Sequence, residues 1–443
     1  MLSHRLPDPG RRRIILAATI GNALEFFDFT VYGFLAFLLG KLFFPAFDSY
    51  GQMLLAVGTF GVGFVMRPLG GIVIGAYADR TGRKRAMVLT TWLMAVGCAM
   101  IAVMPTYAQI GVAAPIAIVV ARSIQGFSAG GEFGASTTML IERALPDERG
   151  YMASWQFASQ GLGVLAAALV VAILSYALSA HALASWGWRV PFALGMLIAP
   201  VGVYIRRRIE NSRTDESLAR LAARRPPQGR LATVIRHHGW QCVVAIVVTM
   251  GGTSAAYVVS FYMPTYAIRE LGMSPAIALS AAALTGMLSL ATAPLVGRWS
   301  DRIGRKPLIV VGRIALVLLI YPAFAWLDAS PTPVVLFTIV GVLTLILTIQ
   351  AVPTITILPE MFPAYVRATG MSLVYSIGVA VFGGFAPFIS TWLVKASGTR
   401  IAPAWYLIAT AVLSLPALWY LKDRTGQGIE PSAEAGFPSH SSI

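Results

Sequence analysis

The chain has 443 residues, of which 57% are hydrophobic and only 12% are charged. Soluble domains carry roughly a quarter of their residues as charged side chains, so this composition excludes an ordinary water-soluble protein. The net charge of +15 is compatible with nucleic-acid binding. The basic residues are, however, concentrated in alternate loops between apolar segments, and this distribution argues against a nucleic-acid partner and for a membrane.

Apolar segments of 18 residues or more follow one another along almost the whole chain. Each is long enough to cross ~30 Å of hydrocarbon as a helix. The sequence predicts twelve membrane helices, at residues 14–38, 52–76, 87–105, 111–141, 150–180, 189–206, 240–267, 276–297, 308–327, 331–358, 366–396 and 402–421. The expected fold class is therefore an all-α membrane protein. The first apolar segment is long and contains Glu25 and Asp28, so we interpret it as a retained helix and not as a signal peptide.

The charges of the loops predict the orientation of the chain. The loops on the side of the N-terminus hold most of the basic residues, including Arg11–Arg13 and the central segment from Arg206 to Arg236. The loops of the other side hold few, such as Lys41 and Arg269. Because cytoplasmic loops are enriched in Lys and Arg, we expect both termini to be cytoplasmic, with the lipid bilayer as a partner.

The central segment is rich in arginine and contains Pro226 and Pro227, and it interrupts the apolar pattern. It divides the chain into an N-terminal six-helix bundle (1–206), a cytoplasmic central loop (207–238), a C-terminal six-helix bundle (239–421) and a polar tail (422–443). The composition of the tail predicts a disordered segment.

One polar turn occurs twice in the sequence. GAYADRTGRKRAM at 75–87 returns as GRWSDRIGRKPLI at 297–309, an offset of 222 residues at the aspartate. A Glu and an Arg seven residues apart also return, at an offset of 218. The corresponding residues are Asp79 and Asp301, Glu142 and Glu360, and Arg149 and Arg367. Two halves that carry the same polar turns are typical of duplicated membrane transporters.

The repeated turn resembles the loop motif of the major facilitator superfamily. VARSIQGFSAGGEFG at 120–134 is similar to that superfamily's fourth-helix motif, with matches at Arg122, Gln125 and Gly126. The resemblance covers nearly the whole chain except its two tails. It implies two pseudo-symmetric six-helix bundles and a place in the bacterial inner membrane.

Further motifs resemble one subfamily, the metabolite:proton symporters, whose members carry citrate, tricarballylate, 2-oxoglutarate, shikimate, proline or betaine. These motifs are GNALEFFDFTVYGF (21–34), MRPLGG (66–71) and SWGWRVPF (185–192). FYMPTY and the stretch from Pro363 to Pro387 look most like the citrate and tricarballylate carriers.

The charged residues of the repeated turns are predicted to form a gate. Ion pairs between them would hold helices together in one conformation and release them in another; the alternative is that the basic residues only fix the topology. We assign Glu132, ten residues after Arg122, to the same gate. The candidate gating residues are Asp79, Arg80, Arg83, Glu132, Glu142, Arg149, Asp301, Arg302, Arg305, Glu360 and Arg367.

Arg122 lies about 11 residues into its helix, near the membrane centre. An arginine there costs at least ~2.5–3.5 kcal/mol, so it must face a cavity or a counter-charge. Glu25 and Asp28 share one face of helix 1, and two neighbouring acids tend to keep a proton between them. We interpret Glu25, Asp28 and Arg122 as proton-coupling residues. The alternative is that Arg122 or Arg67 forms permanent ion pairs with the acids that only join helices.

The candidate substrate-binding residues are the intramembrane arginines and polar side chains at helical spacing. Arg67 either receives an anion or pairs with an acid of helix 1. Gly251, Gly252 and Pro264 make helix 7 breakable, and broken helices line the midplane sites of many transporters. The full set is Asn22, Arg67, Arg122, Gln125, Gln156, Gln160, Tyr257, Tyr262 and Gln350.

The sequence contains no pattern typical of an enzyme. Its five histidines lie in loops or tails, and Cys98 and Cys242 lie in predicted helices, where they suggest no disulfide framework. We see no metal-ligand spacing, Ser/His/Asp set or nucleotide loop. We therefore expect no cofactor, no metal and no enzymatic activity, and a monomeric protein.

The resemblance and the charges together predict a proton-coupled symporter that imports a small organic anion by alternating access. A tricarboxylate such as citrate or tricarballylate is the favoured substrate. Inward movement of one negative charge costs ~2.3 kcal/mol per 100 mV, so a trianion needs co-transported protons. The membrane segments of the second half contain few cations except Arg313 and Lys395 near helix ends, and a tricarboxylate would be expected to meet more positive charge. The alternative substrate is therefore another metabolite: 2-oxoglutarate, shikimate, or a zwitterion such as proline or betaine. The absence of a soluble output domain disfavours a sensor, and the subfamily motifs disfavour drug:proton exchange.

Overall fold

The computed structural model describes residues 9–81, 83–142, 144–197, 200, 230–363 and 366–427. These residues are almost entirely helical, and none of them lies in a β-strand. The helices of the first half are α1 (Pro9–Phe43), α2 (Ser49–Thr81), α3 (Arg83–Ala102), α4 (Ala113–Glu142), α5 (Arg149–Ala177) and α6, which consists of Ala180–Ala182, a π-helical turn Leu183–Gly187 and Arg189–Gly195. A one-turn helix, Tyr107–Ile110, precedes α4.

The second half repeats this order. Its helices are α7 (Arg230–Tyr257, a π-helical turn Val258–Tyr262, and Met263–Arg269), α8 (Pro275–Ile303), α9 (Arg305–Ala329), α10 (Pro333–Glu360), α11 (Arg367–Val379, a π-helical turn Ala380–Gly384, and Ala386–Ser397) and α12 (Ala402–Trp419). We call the end of the bundle at Thr81 and Ile303 the motif end, and the end at Ser49 and Arg269 the opposite end.

Length and composition agree with a membrane protein. Within the described ranges, ten helices are long and apolar enough to cross a bilayer, and Val88–Ala102 in α3 is a shorter apolar segment. The predicted end of helix 6, at residue 206, lies outside the described residues. The predicted all-α class and the order of the helices are therefore confirmed.

The boundaries of the predicted central loop are only partly visible. Most of it lies outside the described residues, but α7 already begins at Arg230, with a kink at His238 where φ is −127° and ψ is 20°. The helix thus extends beyond the apolar segment that begins at 240, because backbone hydrogen bonding does not stop where the hydrocarbon ends.

The irregular part of α7 differs from the predicted one. The helix is continuous through Gly251 and Gly252, and the irregularity is the π-helical turn Val258–Tyr262 directly before Met263 and Pro264. Proline cannot donate a backbone hydrogen bond to the preceding turn, and a π-helical turn accommodates that loss. Of the three residues that were expected to make the helix breakable, Pro264 lies beside the irregular turn, whereas the helix is regular at Gly251 and Gly252.

Glycines bring α2 and α4 into backbone contact. A Cβ added to Gly126 would lie 1.6 Å from the carbonyl oxygen of Gly63, and one added to Gly130 would lie 1.9 Å from that of Arg67. Small residues allow membrane helices to approach this closely. The crossing places Arg67 on α2 and Arg122 on α4 beside the same face of α1.

The two halves are joined most closely along α5 and α8. A Cβ on Gly161 of α5 would lie 2.7 Å from the Gly286 carbonyl oxygen, and one on Gly297 of α8 would lie 2.6 Å from that of Gly150. One glycine pair thus lies at the motif end and the other near the middle of both helices, and α5 carries the residues that meet the second half at the motif end.

Candidate functional site

Two buried ion pairs lie at the centre of the first half. Arg67 Nη2 is 3.1 Å from Glu25 Oε1, and Arg122 Nη1 is 3.0 Å from Asp28 Oδ2. All four side chains are nearly or fully buried. The two acids occupy one face of α1, as the spacing predicted, and each is paired with a different arginine. These are the ion pairs expected if Arg67 and Arg122 only join helices. The same pairs would also allow coupling, because a bound anion could compete for each arginine and a proton could neutralise each carboxylate.

The Arg122–Asp28 pair continues into a ring of hydrogen bonds. Arg122 Nη1 donates to Gln125 Oε1 at 2.8 Å, and Gln125 Nε2 donates to Cys98 Sγ at 3.4 Å. Cys98 Sγ in turn donates to Asp28 Oδ1 at 3.3 Å. Both oxygens of Asp28 are therefore held, one by the guanidinium and one by the thiol. Sequence reasoning missed Cys98, since nothing in the α3 sequence indicates which face meets α1.

Aromatic rings surround both guanidinium groups. The Phe29 ring centroid lies 4.7 Å from Arg67 Cζ and 4.8 Å from Arg122 Cζ, so one ring contacts both cations. Phe64 lies 4.1 Å from Arg67, and Tyr32 lies 4.5 Å from Arg122. Cation–π contacts of this kind stabilise a charge that has been removed from water. These rings form part of the site, and the sequence analysis did not assign them.

Several donors at this centre have spare capacity. Arg122 Nε and Nη2 and Arg67 Nε are buried and have no hydrogen-bond partner among the described residues, and the same is true of the Tyr257 hydroxyl. Tyr257 comes from α7 in the second half and packs edge-on against Phe64, with ring centroids 5.4 Å apart. The centre thus offers N–H and O–H groups from both halves, which is the chemistry that recognises a carboxylate.

Other predicted polar residues serve helix packing. Asn22 Nδ2 on α1 donates to the Gln156 carbonyl at 3.0 Å and to Ser159 Oγ at 2.7 Å. Gln156 Nε2 donates to Ser136 Oγ at 3.2 Å. These hydrogen bonds join α1, α4 and α5, so Asn22 and Gln156 contribute to helix packing beside the arginines.

The remaining three predicted binding residues are dispersed. Gln160 lies against Tyr375 of α11. Tyr262 lines a small, largely apolar cavity towards the opposite end, together with Phe60 and Phe261. Gln350 is bonded to Arg313 on α9 at 2.6 Å.

Predicted gating residues of both halves meet at the motif end. Arg367 Nη1 on α11 lies 3.3 Å from Glu142 Oε1 on α4. Arg149 Nη1 on α5 lies 3.9 Å from Glu360 Oε1, which is also 3.4 Å from Arg305 Nη2. Because these contacts connect α4 and α5 with α9, α10 and α11, they close the motif end between the halves.

Asp301 completes this closure. Its Oδ1 accepts a hydrogen bond from the Gly150 amide at 2.7 Å, and its Oδ2 accepts one from the Tyr151 amide at 2.8 Å. A carboxylate at a helix N-terminus satisfies free amides and the helix dipole. Asp301 on α8 therefore caps α5 of the other half, and it also pairs with Arg305 at 3.2 Å.

Other predicted gating residues lie apart from this cluster. Arg302 is exposed at the end of α8. Glu132 lies deeper on α4, where its Oε2 accepts a hydrogen bond from Thr90 Oγ1 at 3.3 Å. The side chains of Asp79, Arg80 and Arg83 lie outside the part of the chain that is described, so their predicted roles stay predictions.

The chain after α12 packs onto this charged cluster. Arg149 Nη1 donates to the Gln427 carbonyl at 2.7 Å, and Arg305 Nη1 donates to Thr425 Oγ1 at 2.9 Å. Asp423 Oδ2 accepts from the Lys306 amide at 2.9 Å and so caps α9. Contrary to the predicted disorder from 422 onwards, residues 422–427 are held in place by the charged cluster. The rest of the predicted tail, 428–443, lies outside the described residues.

The environment of Asp423 favours its charged form. Burial alone raises the pKa of this carboxyl, but hydrogen bonds from Thr425 and from the Lys306 amide outweigh burial and leave its pKa below the usual value. The cap on α9 is thus ionised at neutral pH.

The opposite end is closed as well. Arg269 Nη1 donates to the Ser49 carbonyl at 3.3 Å. The Phe385 ring lies so close to Gly61 that an added Cβ would come within 2.8 Å of it, and a Cβ on Gly33 would lie 3.8 Å from Phe261. The Arg67 and Arg122 pairs therefore lie between two closed ends, as expected for an occluded arrangement.

Comparisons with known proteins agree with this architecture. The sequence matches the family model described as Major Facilitator Superfamily over residues 18–374 and 270–442. Among solved structures, the partially occluded inward-open form of the xylose transporter XylE from E. coli is similar, with a TM-score of 0.76 at 19% identity, over 94% of this chain and 99% of that one. This likeness shows the fold.

Curated relatives are similar over nearly their whole lengths. The citrate-proton symporter of Klebsiella pneumoniae is 35% identical over 94% of this chain and 93% of its own. The alpha-ketoglutarate permease of Escherichia coli is 35% identical over 95% of this chain and 96% of its own. The proline/betaine transporter of Salmonella typhimurium is 33% identical over 92% of this chain and 83% of its own. Identity alone does not separate these substrates.

Proposed function

Because the chain belongs to the Major Facilitator Superfamily and is an integral membrane transporter, not an enzyme, we propose that it is a proton symporter that imports a small organic anion. The observation that carries the proposal is the Arg122–Asp28 pair at 3.0 Å, with Arg122 Nε and Nη2 buried and without a partner among the described residues. A planar guanidinium with two such N–H groups can hold a carboxylate through both oxygens.

The geometry links substrate and proton in a simple way. When a substrate carboxylate binds Arg122, one cation faces two anions, the ligand and Asp28. Protonation of Asp28 removes the excess negative charge, so each event favours the other. The Arg67–Glu25 pair, 3.1 Å apart, offers the same linkage a second time. Co-binding of an anion and protons is what a symporter of this kind requires.

The membrane potential makes this linkage useful. A trianion that enters alone works against ~2.3 kcal/mol per charge per 100 mV of negative interior potential. Protons carried on Glu25 and Asp28 would cancel part of that charge. The proton gradient then supplies the driving force for uphill uptake.

A tricarboxylate such as citrate or tricarballylate is the substrate that we favour. Two arginines at one centre suit a ligand with several carboxylates, and the citrate-proton symporters are among the relatives with the highest identity. The alternative is another metabolite, such as 2-oxoglutarate, shikimate, or a zwitterion like proline or betaine, since relatives named for 2-oxoglutarate and betaine are about as similar.

For transport, the contacts at the motif end would open while the opposite end stays closed. In the other state the opposite end would open while the motif end stays closed. We propose that the motif end faces the cytoplasm, since the basic loops lie there, and that the membrane is the bacterial inner membrane. The contacts of Asp301, Arg149, Glu360, Arg367 and Glu142 would break in the inward-open state. Each chain carries a full set of these groups, which suits a monomer.

An uptake screen in proteoliposomes tests the proposal. The purified protein is reconstituted, an inward proton gradient is imposed, and uptake of labelled citrate, tricarballylate, 2-oxoglutarate, shikimate and betaine is measured. We expect uphill uptake of a tricarboxylate that a protonophore abolishes. Uptake of betaine alone would transfer the assignment to the zwitterion alternative, and uptake insensitive to the proton gradient would contradict proton symport.

A further inference from the structure

A short segment after α12 is fixed to the second half of the molecule. We call this segment, residues 422–427, the strap. Asp423 Oδ2 accepts a hydrogen bond from the Lys306 amide at the start of α9, at 2.9 Å. Arg424 Nη1 donates to the carbonyl of Glu360, the last residue of α10, at 3.4 Å. The first part of the strap therefore belongs structurally to α9 and α10.

The last residue of the strap contacts the first half. Arg149 Nη1 of α5 donates to the Gln427 carbonyl at 2.7 Å. Arg149 also lies 3.9 Å from Glu360, but Arg305 lies closer to the same oxygen, at 3.4 Å. A guanidinium only donates hydrogen bonds, so two arginines that share one carboxylate need further acceptors. The strap supplies one to each, since Thr425 Oγ1 accepts from Arg305 Nη1 at 2.9 Å.

The repeat shows what Arg149 would lose without the strap. Its counterpart at the repeat offset, Arg367, donates Nε to the carbonyls of Pro359 and Phe362 near the end of α10, at 3.2 and 3.3 Å. Arg367 is thus anchored to its own half. Nε of Arg149 is buried and has no hydrogen-bond partner among the described residues. Within the same part of the chain, Arg149 makes its one hydrogen bond to the strap, which is attached to the other half.

A turn at Gly426 places the Gln427 carbonyl against Arg149. The Gln427 amide donates to the Arg424 carbonyl at 3.1 Å, which closes a four-residue turn. Gly426, the third residue of this turn, has a φ of 72°. This left-handed conformation is costly for residues that have a Cβ. A Cβ at Gly426 would meet no atom within 4 Å, so a larger side chain there would strain the backbone of the turn and displace no neighbour.

The strap cannot keep all of its contacts when the motif end opens. Asp423, Arg424 and Thr425 hold it to the second half, whereas Arg149 belongs to the first. Separation of α5 from α9 and α10 therefore breaks the bond between Arg149 and the Gln427 carbonyl. A contact that exists in only one of two conformations stabilises that conformation. The linkage is reciprocal, so opening of the motif end also releases the end of the strap.

We propose that the strap is a latch that holds the motif end closed and sets how often it opens. It is docked on Arg149 in the closed state, and it stays with the second half when Arg149 moves away. The inference goes beyond the proposed function. It rests on the alternate opening of the two ends, but it depends on neither the transported anion nor the coupled proton.

The test measures how readily the motif end opens. Ser372, which packs against Gly134 between the halves, is replaced by Cys in the purified full-length protein in detergent, and the rate of labelling by a hydrophilic maleimide is measured. Gly426→Val strains the turn and keeps the side chains of the strap that make contacts. We expect it to raise the labelling rate about threefold or more.

Gly398→Val is the matched control. Gly398 has a φ of 68°, and a Cβ there would also meet no atom within 4 Å. It follows α11 at the opposite end, so the same backbone strain is introduced away from the strap. The labelling rate of Ser372→Cys should be unchanged in this variant. An equal increase in Gly398→Val and Gly426→Val would contradict a specific role of the strap.

Two deletions separate the strap from the residues that follow it. Deletion of 423–443 removes the strap contacts, and deletion of 428–443 keeps them. We expect the first deletion to raise labelling of Ser372→Cys at least as much as Gly426→Val does, and the second to leave the wild-type rate. Wild-type labelling after deletion of 423–443, or an equal increase after deletion of 428–443, overturns the latch.

A second reporter distinguishes opening from general loosening. Thr265 is 6% exposed and lines the small cavity towards the opposite end. Loss of the latch should raise labelling of Ser372→Cys and should not raise labelling of Thr265→Cys. An increase at both positions would overturn the latch, because the fold itself would have loosened. Labelling needs no ligand, so a wild type that transports no anion would contradict the proposed function and leave the result for the strap standing.

Discussion

Asp301 on α8 accepts a hydrogen bond from the backbone amide of Gly150 on α5, at 2.7 Å, and so caps a helix of the other half of the molecule. A side chain from the repeated turn thereby becomes a contact between the halves. The ion pairs of Arg149 with Glu360 and of Arg367 with Glu142 lie in the same charged cluster. The strength of this cap should set how readily the motif end opens.

Removal of the cap should favour opening at the motif end. Loss of a carboxylate cap costs about 1–2 kcal/mol, so Asp301→Ala should raise the open fraction several-fold. Ser372, which packs against Gly134 between the halves, can be replaced by Cys as a reporter for labelling by an impermeant maleimide. Ser274→Ala, which removes a cap that stays within α8, is the matched control. Equal labelling with and without Asp301 would show that the cap does not hold the gate.

Neutral substitutes for the two acids should uncouple transport. Glu25→Gln and Asp28→Asn keep the size and lose the site for a proton, so we expect each to abolish uphill uptake while exchange across the membrane survives. Thr30→Val, on the same helix and equally buried, serves as the control. Wild-type accumulation in both single variants would remove these acids from the coupling mechanism.

Arg122 should be needed for binding, in both its charge and its shape. Arg122→Ala should abolish binding of citrate or tricarballylate, and Arg122→Lys should weaken it about tenfold or more because a lysine cannot present two parallel N–H groups. Arg269→Lys at the opposite end is the matched conservative change. The measurement is equilibrium binding in detergent. Unchanged affinity in Arg122→Ala would restrict this residue to helix pairing.

Cys98 should tune the pH dependence of uptake as a positioning residue. Its thiol, a weak hydrogen-bond donor, donates to Asp28 Oδ1 at 3.3 Å. Since that bond favours ionised Asp28, Cys98→Ala should move the midpoint of uptake to higher pH, and Cys98→Ser should restore it. Cys242→Ala, which changes the other buried thiol, is the control. An identical pH profile in Cys98→Ala would contradict the role.

The docking of residues 422–427 should depend on pH through Asp423. The pKa of this carboxyl is lower in the folded protein than its usual value. Its stabilising effect is therefore fully present above the usual aspartate pKa and is lost as the pH falls through the lowered one. The protection factor of the Lys306 amide against hydrogen exchange should stay constant from pH 7 to about 5 and be lower in Asp423→Asn throughout that range. Equal protection in Asp423→Asn would show that other contacts hold the segment.

The sequence was sufficient where a charge or a repeat carries the information. The apolar segments predicted the helices, and the offsets between Asp79 and Asp301 and between Glu142 and Glu360 predicted two halves with equivalent polar turns. The positions of Arg122, Glu25 and Asp28 within their helices predicted that they meet. Each of these inferences needs only the position of a residue along its helix and its spacing from other residues on the same face, and both can be counted in the sequence.

The sequence was insufficient where the answer depends on which neighbour a helix face meets. Cys98 and Arg313 lie on α3 and α9, and their partners come from other helices whose rotation the spacing does not determine. Gly251 looked like a helix breaker, yet its role is to make room for Arg313. Gln350 looked like a direct substrate ligand, but its orientation depends on that same arginine.

The central claim is that substrate and proton bind together because a carboxylate on Arg122 faces Asp28. Proton uptake on ligand binding measures this directly: tricarballylate is added to the purified protein in weakly buffered detergent near pH 7.5, with a pH indicator present. We predict that the wild type takes up protons when it binds the ligand and that Asp28→Asn binds the ligand with a clearly smaller uptake. Binding by the wild type without proton uptake, or an equal uptake in Asp28→Asn, would contradict the account.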